Sequence, residues 1–169
     1  MVDVDSFVPA GMKALETLRG DLTGAGHSDV LLISSPPSKA GEKLGQGEPR
    51  VVSVLVQDQN GGLKEAARNS KIVPCARCGG VAGDPYGYAR IDKGTFLISV
   101  SGGSRERWAE DYSFRYDPAQ QSWLLDRVVR EVTDTETEQN KKTELTSKEF
   151  GTIKFSDFDP ASLPQTGTL

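Results

Sequence analysis

The 169-residue chain carries one histidine and two cysteines, and it is short of everything that usually marks an enzyme. A Ser-His-Asp or Cys-His arrangement has His27 as its one possible imidazole base and no motif around any Ser or Cys to match it. The adjacent carboxylates Glu110 and Asp111 point to opposite faces of a strand, so they cannot flank one glycosidic bond. The glycines from Gly20 to Gly26 lack a Walker lysine and lead into a strand rather than a helix. No catalytic residue is assigned. No run approaches the roughly 18 apolar residues of a membrane-spanning helix. The formal net charge of −4 removes the broad positive field that nucleic acid or an anionic membrane surface requires, and a basic partner suits the chain better.

What is plentiful is punctuation. Eighteen glycines and nine prolines interrupt the chain too often for a helical bundle and imply short strands joined by turns. Period-two alternation places Val52, Val54 and Val56, then Phe96, Ile98 and Val100, then Tyr112, Phe114 and Tyr116, on one side of three strands. Turn chemistry at Asp58 to Gly62, Asp92-Lys93-Gly94 and Asp117 to Gln121 separates such runs at hairpin spacing. The expected fold is mainly β, an antiparallel meander forming one domain over residues 1–169, propeller-like or a sandwich. Residues 1–7 read as an N-terminal lead and Pro9 to Leu18 as extended or one short helix. The Thr-, Glu- and Lys-rich stretch 133–146 reads as a solvated loop. Phe150 to Phe158 reads as a last strand or docked extended segment, and 159–169 as a flexible tail. Within that tail Leu163-Pro164-Gln165-Thr166-Gly167 matches a sortase signal, but without the apolar span and basic end that such a signal needs; coincidence is the expectation.

Three segments invite functional readings. Asp21, Thr23, the His27 carbonyl and Asp29 have the alternate spacing of a calcium loop, although Ala25 and Leu32 stand where further oxygen ligands belong; bound Ca²⁺ and an ion-free Asx/Gly turn both remain open. Cys75-Ala76-Arg77-Cys78 has too few companion ligands for zinc and lacks the helix of a redox motif, so a short structural disulfide fits best, with free thiols and a metal or redox pair as the other readings. A disulfide favours export. Met1-Val2-Asp3-Val4-Asp5 lacks the basic and apolar regions of a signal peptide, so an exported chain would have lost its leader ahead of this point. Finally, Ser101, Gly102, Gly103, Ser104, Arg105, Arg107 and Trp108 combine adaptable hydroxyls, close-approach glycines and the residue types richest in binding hot spots. A contact tip and a plain Gly-Gly hairpin with Trp108 in the core both fit this composition.

Val8-Pro9-Ala10-Gly11 followed by Gly20 to Leu32 resembles the FG-GAP-type start of exported bacterial β domains. Cys75-Ala76-Arg77-Cys78-Gly79-Gly80, Gly83-Asp84-Pro85, Ser101 to Trp108 and Tyr112 to Tyr116 resemble periplasmic proteins with propeller-like β folds. That group is similar to periplasmic lysozyme inhibitors and to immunity proteins that neutralise peptidoglycan-cleaving toxins. The resemblance implies a periplasmic or exported binding protein whose Ser/Gly/Arg loop enters the cleft of a cell-wall hydrolase or secreted toxin. The alternative is a calcium-supported envelope module that binds glycan or another surface protein.

Overall fold

The structure is a computed structural model and describes residues 4–164. It contains two antiparallel meanders. β1 (Lys13–Gly20), β2 (Asp29–Ser35), β3 (Val51–Gln57) and β4 (Leu63–Asn69) form a four-stranded sheet in chain order. β5 (Tyr86–Asp92), β6 (Thr95–Gly103), β7 (Glu106–Asp117), β8 (Ser122–Asp134) and β9 (Asn140–Leu145) form a five-stranded one, again in chain order. Every pairing is between strands adjacent in sequence, as short polar connections dictate. The three turns read from the sequence lie between β3 and β4, β5 and β6, and β7 and β8.

Both sheets contribute to one apolar cluster. The alternating residues Val52, Val54, Phe96, Ile98, Val100, Tyr112 and Phe114 are all buried there, with Val56 and Tyr116 packed at its margin. Strand β2 departs from alternation because it is covered on both sides. Leu31 and Ile33 face the main cluster, whereas Val30 and Leu32 join Leu55 in a second one closed by Val4, Phe7, Val8 and Leu63. The N-terminal lead is therefore structural from its short 3-10 turn, Val4–Phe7, onward. Pro9 to Leu18 proves extended, entering β1 after a turn in which the Met12 N–H bonds to the Pro9 carbonyl at 3.0 Å.

The C-terminal segment adds Phe155, Phe158 and Leu163 to the core. Phe155 and Phe158 pack edge-to-face against Phe96, Phe114 and Tyr112 with ring centroids 5.2 to 5.8 Å apart. The Asn69 amide donates to the carbonyls of Phe155 (2.7 Å) and Phe158 (2.8 Å), fixing a 3-10 turn, Phe155–Asp157, beside the end of β4. Only Lys154 pairs with a strand, through a single bridge to Leu124, so the segment is docked rather than a last strand. The tail is likewise docked through Leu163, which is buried in the main cluster. Residues 165–169, including the rest of the sortase-like pentapeptide, lie outside the described residues.

The stretch 133–146 is not a loop. β8 continues to Asp134 and β9 occupies Asn140–Leu145, leaving residues 135–139 as the turn. An edge strand is held by backbone pairing and needs few apolar side chains. Of β9 only Leu145 is buried, and the exposed lysines and glutamate suit a solvent-facing edge.

Candidate functional site

Strands β6 and β7 meet in a short turn at Ser104 and Arg105. Gly103 holds φ near 108°, and a Cβ there would overlap the Glu106 carbonyl oxygen. A Cβ on Gly102 would lie 2.8 Å from Trp108 Cζ2 and 3.0 Å from the Gly79 Cα. Both glycines are thus required by close packing, and Trp108 is half-buried against the margin of the core.

The remaining tip residues divide by what they touch. Arg105 is engaged within the protein: Nε and Nη2 grip the two carboxylate oxygens of Asp134 at 3.2 and 3.1 Å, and Nη1 lies 3.3 Å from Glu136. Its carbonyl accepts the Thr135 N–H and hydroxyl at 3.0 and 2.7 Å. The Arg105 hydrogen bonds, together with the N–H groups of Glu136 and Thr137, hold the Asp134 carboxyl below its ordinary pKa. Arg105 therefore clamps the β6–β7 hairpin to the β8–β9 hairpin. Arg107 differs. It is exposed, its nearest polar contact is the Gly103 carbonyl at 3.5 Å, and it has no carboxylate partner among the described residues. Exposed Ser101 and Ser104 accompany it. With Ala82, Ser101, Glu131 and Thr133, Arg107 lines a surface depression of about 320 Å³.

The tip is braced from behind by the cysteine segment. Cys75 and Cys78 form a disulfide, and the next residue's carbonyl, Gly79, accepts the Gly103 N–H at 2.9 Å. The Ser101 N–H donates to the Pro85 carbonyl at 2.8 Å. Asp84 is held in turn by Arg50, whose Nη1 and Nη2 reach its oxygens at 2.8 and 2.5 Å. Arg50 also donates to the Pro74 carbonyl and the Ser35 hydroxyl, and only 2% of it is exposed. The two most distinctive sequence pieces, Cys75 to Gly80 and Ser101 to Trp108, are thus brought into one assembly. Arg50 was not singled out from the sequence, although its phase was a signal: it shares the core-facing parity of Val52 and Val54, where a charge needs a partner.

The acidic glycine loop, residues 20–29, lies at the other end of β1. Asp21 accepts N–H bonds from Thr23, Gly24 and Gly26 at 3.3, 2.8 and 2.9 Å. Desolvation opposes its charge, but these N–H groups and the Lys93 cation outweigh it and set the pKa below the ordinary value. Fully buried Asp29 joins the loop to the sheet, accepting from Leu22 N–H and Gln57 N–H, each at 2.9 Å. The Thr23 hydroxyl accepts from Ala25 N–H at 3.4 Å, and His27 is exposed. Among the described residues no group of three His, Cys, Asp or Glu is placed to hold a metal. Replacing Asp29 by Asn puts an amide NH₂ against at least one of these donors. A loss of about 2 kcal/mol is expected in urea unfolding, equal with and without a calcium chelator.

A further network lies beside the tip. Glu110 accepts from the Tyr112 hydroxyl and pairs with Arg130 at 3.1 Å, and Arg130 donates to the Pro164 carbonyl at 2.8 Å. Burial, then the Glu110 charge and hydrogen bond, push the Tyr112 phenol far up, so it stays a neutral donor. Glu110 and Asp111 indeed point apart: Glu110 is in phase with Trp108 and Tyr112, and Asp111 with Ala109 and Ser113. Comparison with family models, curated proteins and solved structures finds no match to this chain.

Proposed function

We propose that the protein is an exported, periplasmic binding domain that inhibits a peptidoglycan-cleaving enzyme or toxin, as an inhibitor or immunity protein, with the β6–β7 tip as its contact. The observation that carries this reading is the contrast between the two tip arginines. Arg105 is clamped by Asp134 and Glu136, whereas Arg107 stands exposed without a carboxylate partner among the described residues on a tip whose backbone is tied down. A solvated guanidinium on a braced backbone, beside Ser101 and Ser104, is suited to charge-assisted pairing with the acidic residues of a glycan-cleaving cleft, the hydroxyls taking the place of sugar hydroxyls. Preorganisation reduces the ordering cost of binding.

The remaining support is chemical. The net charge of −4 would steer the protein toward basic lysozymes, and the Cys75–Cys78 disulfide fits an oxidising compartment. A propeller-like relation to the periplasmic inhibitors belongs to the same reading, since each meander has about the four strands of a propeller blade. The test is inhibition of a purified lysozyme by wild type and by Arg107→Ala. The variant is expected to fold normally and lose on the order of 10- to 100-fold in inhibition constant. Substitution at Gly103 would not serve, because any side chain there breaks the turn itself.

A further inference from the structure

The disulfide turn touches two segments that have no strand pairing with each other. On one side is the long connection between β2 and β3, residues 36–50. Its Gly45 N–H donates to the Arg77 carbonyl at 2.6 Å, and the Glu42 carbonyl accepts from Arg77 Nη1 at 2.8 Å. A Cβ on Gly47 would lie 3.2 Å from the Cys75 Cβ, so this connection lies directly on the bridge. On the other side is the β6–β7 tip, through Gly103 N–H to Gly79 O at 2.9 Å and Val81 N–H to the Ser104 hydroxyl at 3.5 Å. The acceptors Arg77 and Gly79 lie inside the bridge and one residue past it. Beyond them the chain is secured independently by Arg50 on Asp84.

We infer that the Cys75–Cys78 bridge is a redox-sensitive brace, whose reduction by a dithiol releases the β6–β7 tip and the β2–β3 connection together while the rest of the fold stays closed. Cys75 is 2% exposed, whereas Cys78 is half-buried, so the attacking thiolate reaches the Cys78 sulfur. The Cys75–Cys78 bond breaks and Cys75 leaves as a thiolate that takes up a proton. The second thiolate of the reductant then displaces Cys78, which is protonated in turn, and the reductant closes its own disulfide. The protein gains two electrons and two protons. The freed four-residue turn loses its covalent closure and, with it, the fixed position of the Arg77 and Gly79 carbonyls.

The test needs no partner. Amide hydrogen exchange is followed residue by residue on the oxidised protein, on the protein reduced with dithiothreitol, and on a Cys75→Ser/Cys78→Ser double variant. On reduction and in the variant, the Gly103 and Gly45 amides should both exchange about ten-fold faster or more. The Ser101 amide, held by Pro85, and the Asp134 amide, held by the Gln139 carbonyl at 2.8 Å, should be unchanged. Unchanged exchange at Gly103 or at Gly45 would overturn the inference, and so would acceleration spread equally over all four amides, which would mean general destabilisation.

Discussion

Trp123→Ala should lower stability by about 4 kcal/mol, seen as a fall of roughly 8–16 °C in the thermal midpoint of a domain this size. Trp123 is 2% exposed, and its ring packs on Tyr116 with centroids 4.9 Å apart. Its Nε1 donates across the core to the carbonyl of buried Leu22 at 2.7 Å, linking β8 to the connection between β1 and β2. Truncation removes a large apolar area, opens a cavity where the two sheets meet and strands that carbonyl. Trp123→Phe separates the contributions, since it keeps much of the volume and loses the donor. It should cost about 1–2 kcal/mol. Equal losses for the two variants in urea unfolding would place the whole effect in the hydrogen bond and contradict the packing account.

Arg50→Ala should cost about 3 kcal/mol, or roughly 6–12 °C. The figure sits at the low end for breaking a buried pair, because the Asp84 side chain is 44% exposed and water partly replaces the lost partner. The Pro74 carbonyl and the Ser35 hydroxyl lose their donor at the same time. The Asp84 carboxyl carries a pH signature. Burial opposes its charge, but the Arg50 hydrogen bonds and the Tyr86 N–H outweigh that and hold its pKa below the ordinary value. A depressed carboxyl contributes stability that is fully present above the unfolded pKa of about 4 and is lost as pH falls through the folded value. The stability gap between wild type and Asp84→Asn should therefore be constant from pH 5 to 7 and shrink below about pH 4. A gap that widens on acidification would contradict the assignment.

Much of the fold could be read from side-chain phase. The alternating runs at Val52, Phe96 and Tyr112 are the core-facing strands because a half-buried sheet forces period two. The Asp/Asn/Gly/Pro clusters between strands are its hairpins because those residues reach turn geometry cheaply. The misreadings at 133–146 and after Phe158 share a cause. An edge strand is stabilised by backbone bonds that leave no apolar trace, and Leu163 reaches the core through a tertiary position that no local pattern encodes. In the site, the composition of Ser101 to Trp108 marked the tip but could not divide the two arginines. Two residues apart, they share the same parity, and only the return of β8 to Asp134 shows which one is engaged. Asp21 and Asp29 have the spacing of cation ligands, and in the folded chain both carboxylates accept backbone N–H groups, a partner that spacing alone does not reveal.

Arg107 is the point at which fold and proposed function meet, because the other arginine of the tip, Arg105, is already paired with Asp134 and Glu136 inside the protein. The decisive measurement is peptidoglycan hydrolysis by a purified lysozyme titrated with wild type, Arg105→Ala and Arg107→Ala. Inhibition by wild type, a small loss for Arg105→Ala and a 10- to 100-fold loss for Arg107→Ala is the predicted result. An Arg107→Ala variant that inhibits as well as wild type, or a wild-type protein that does not inhibit at all, would contradict it.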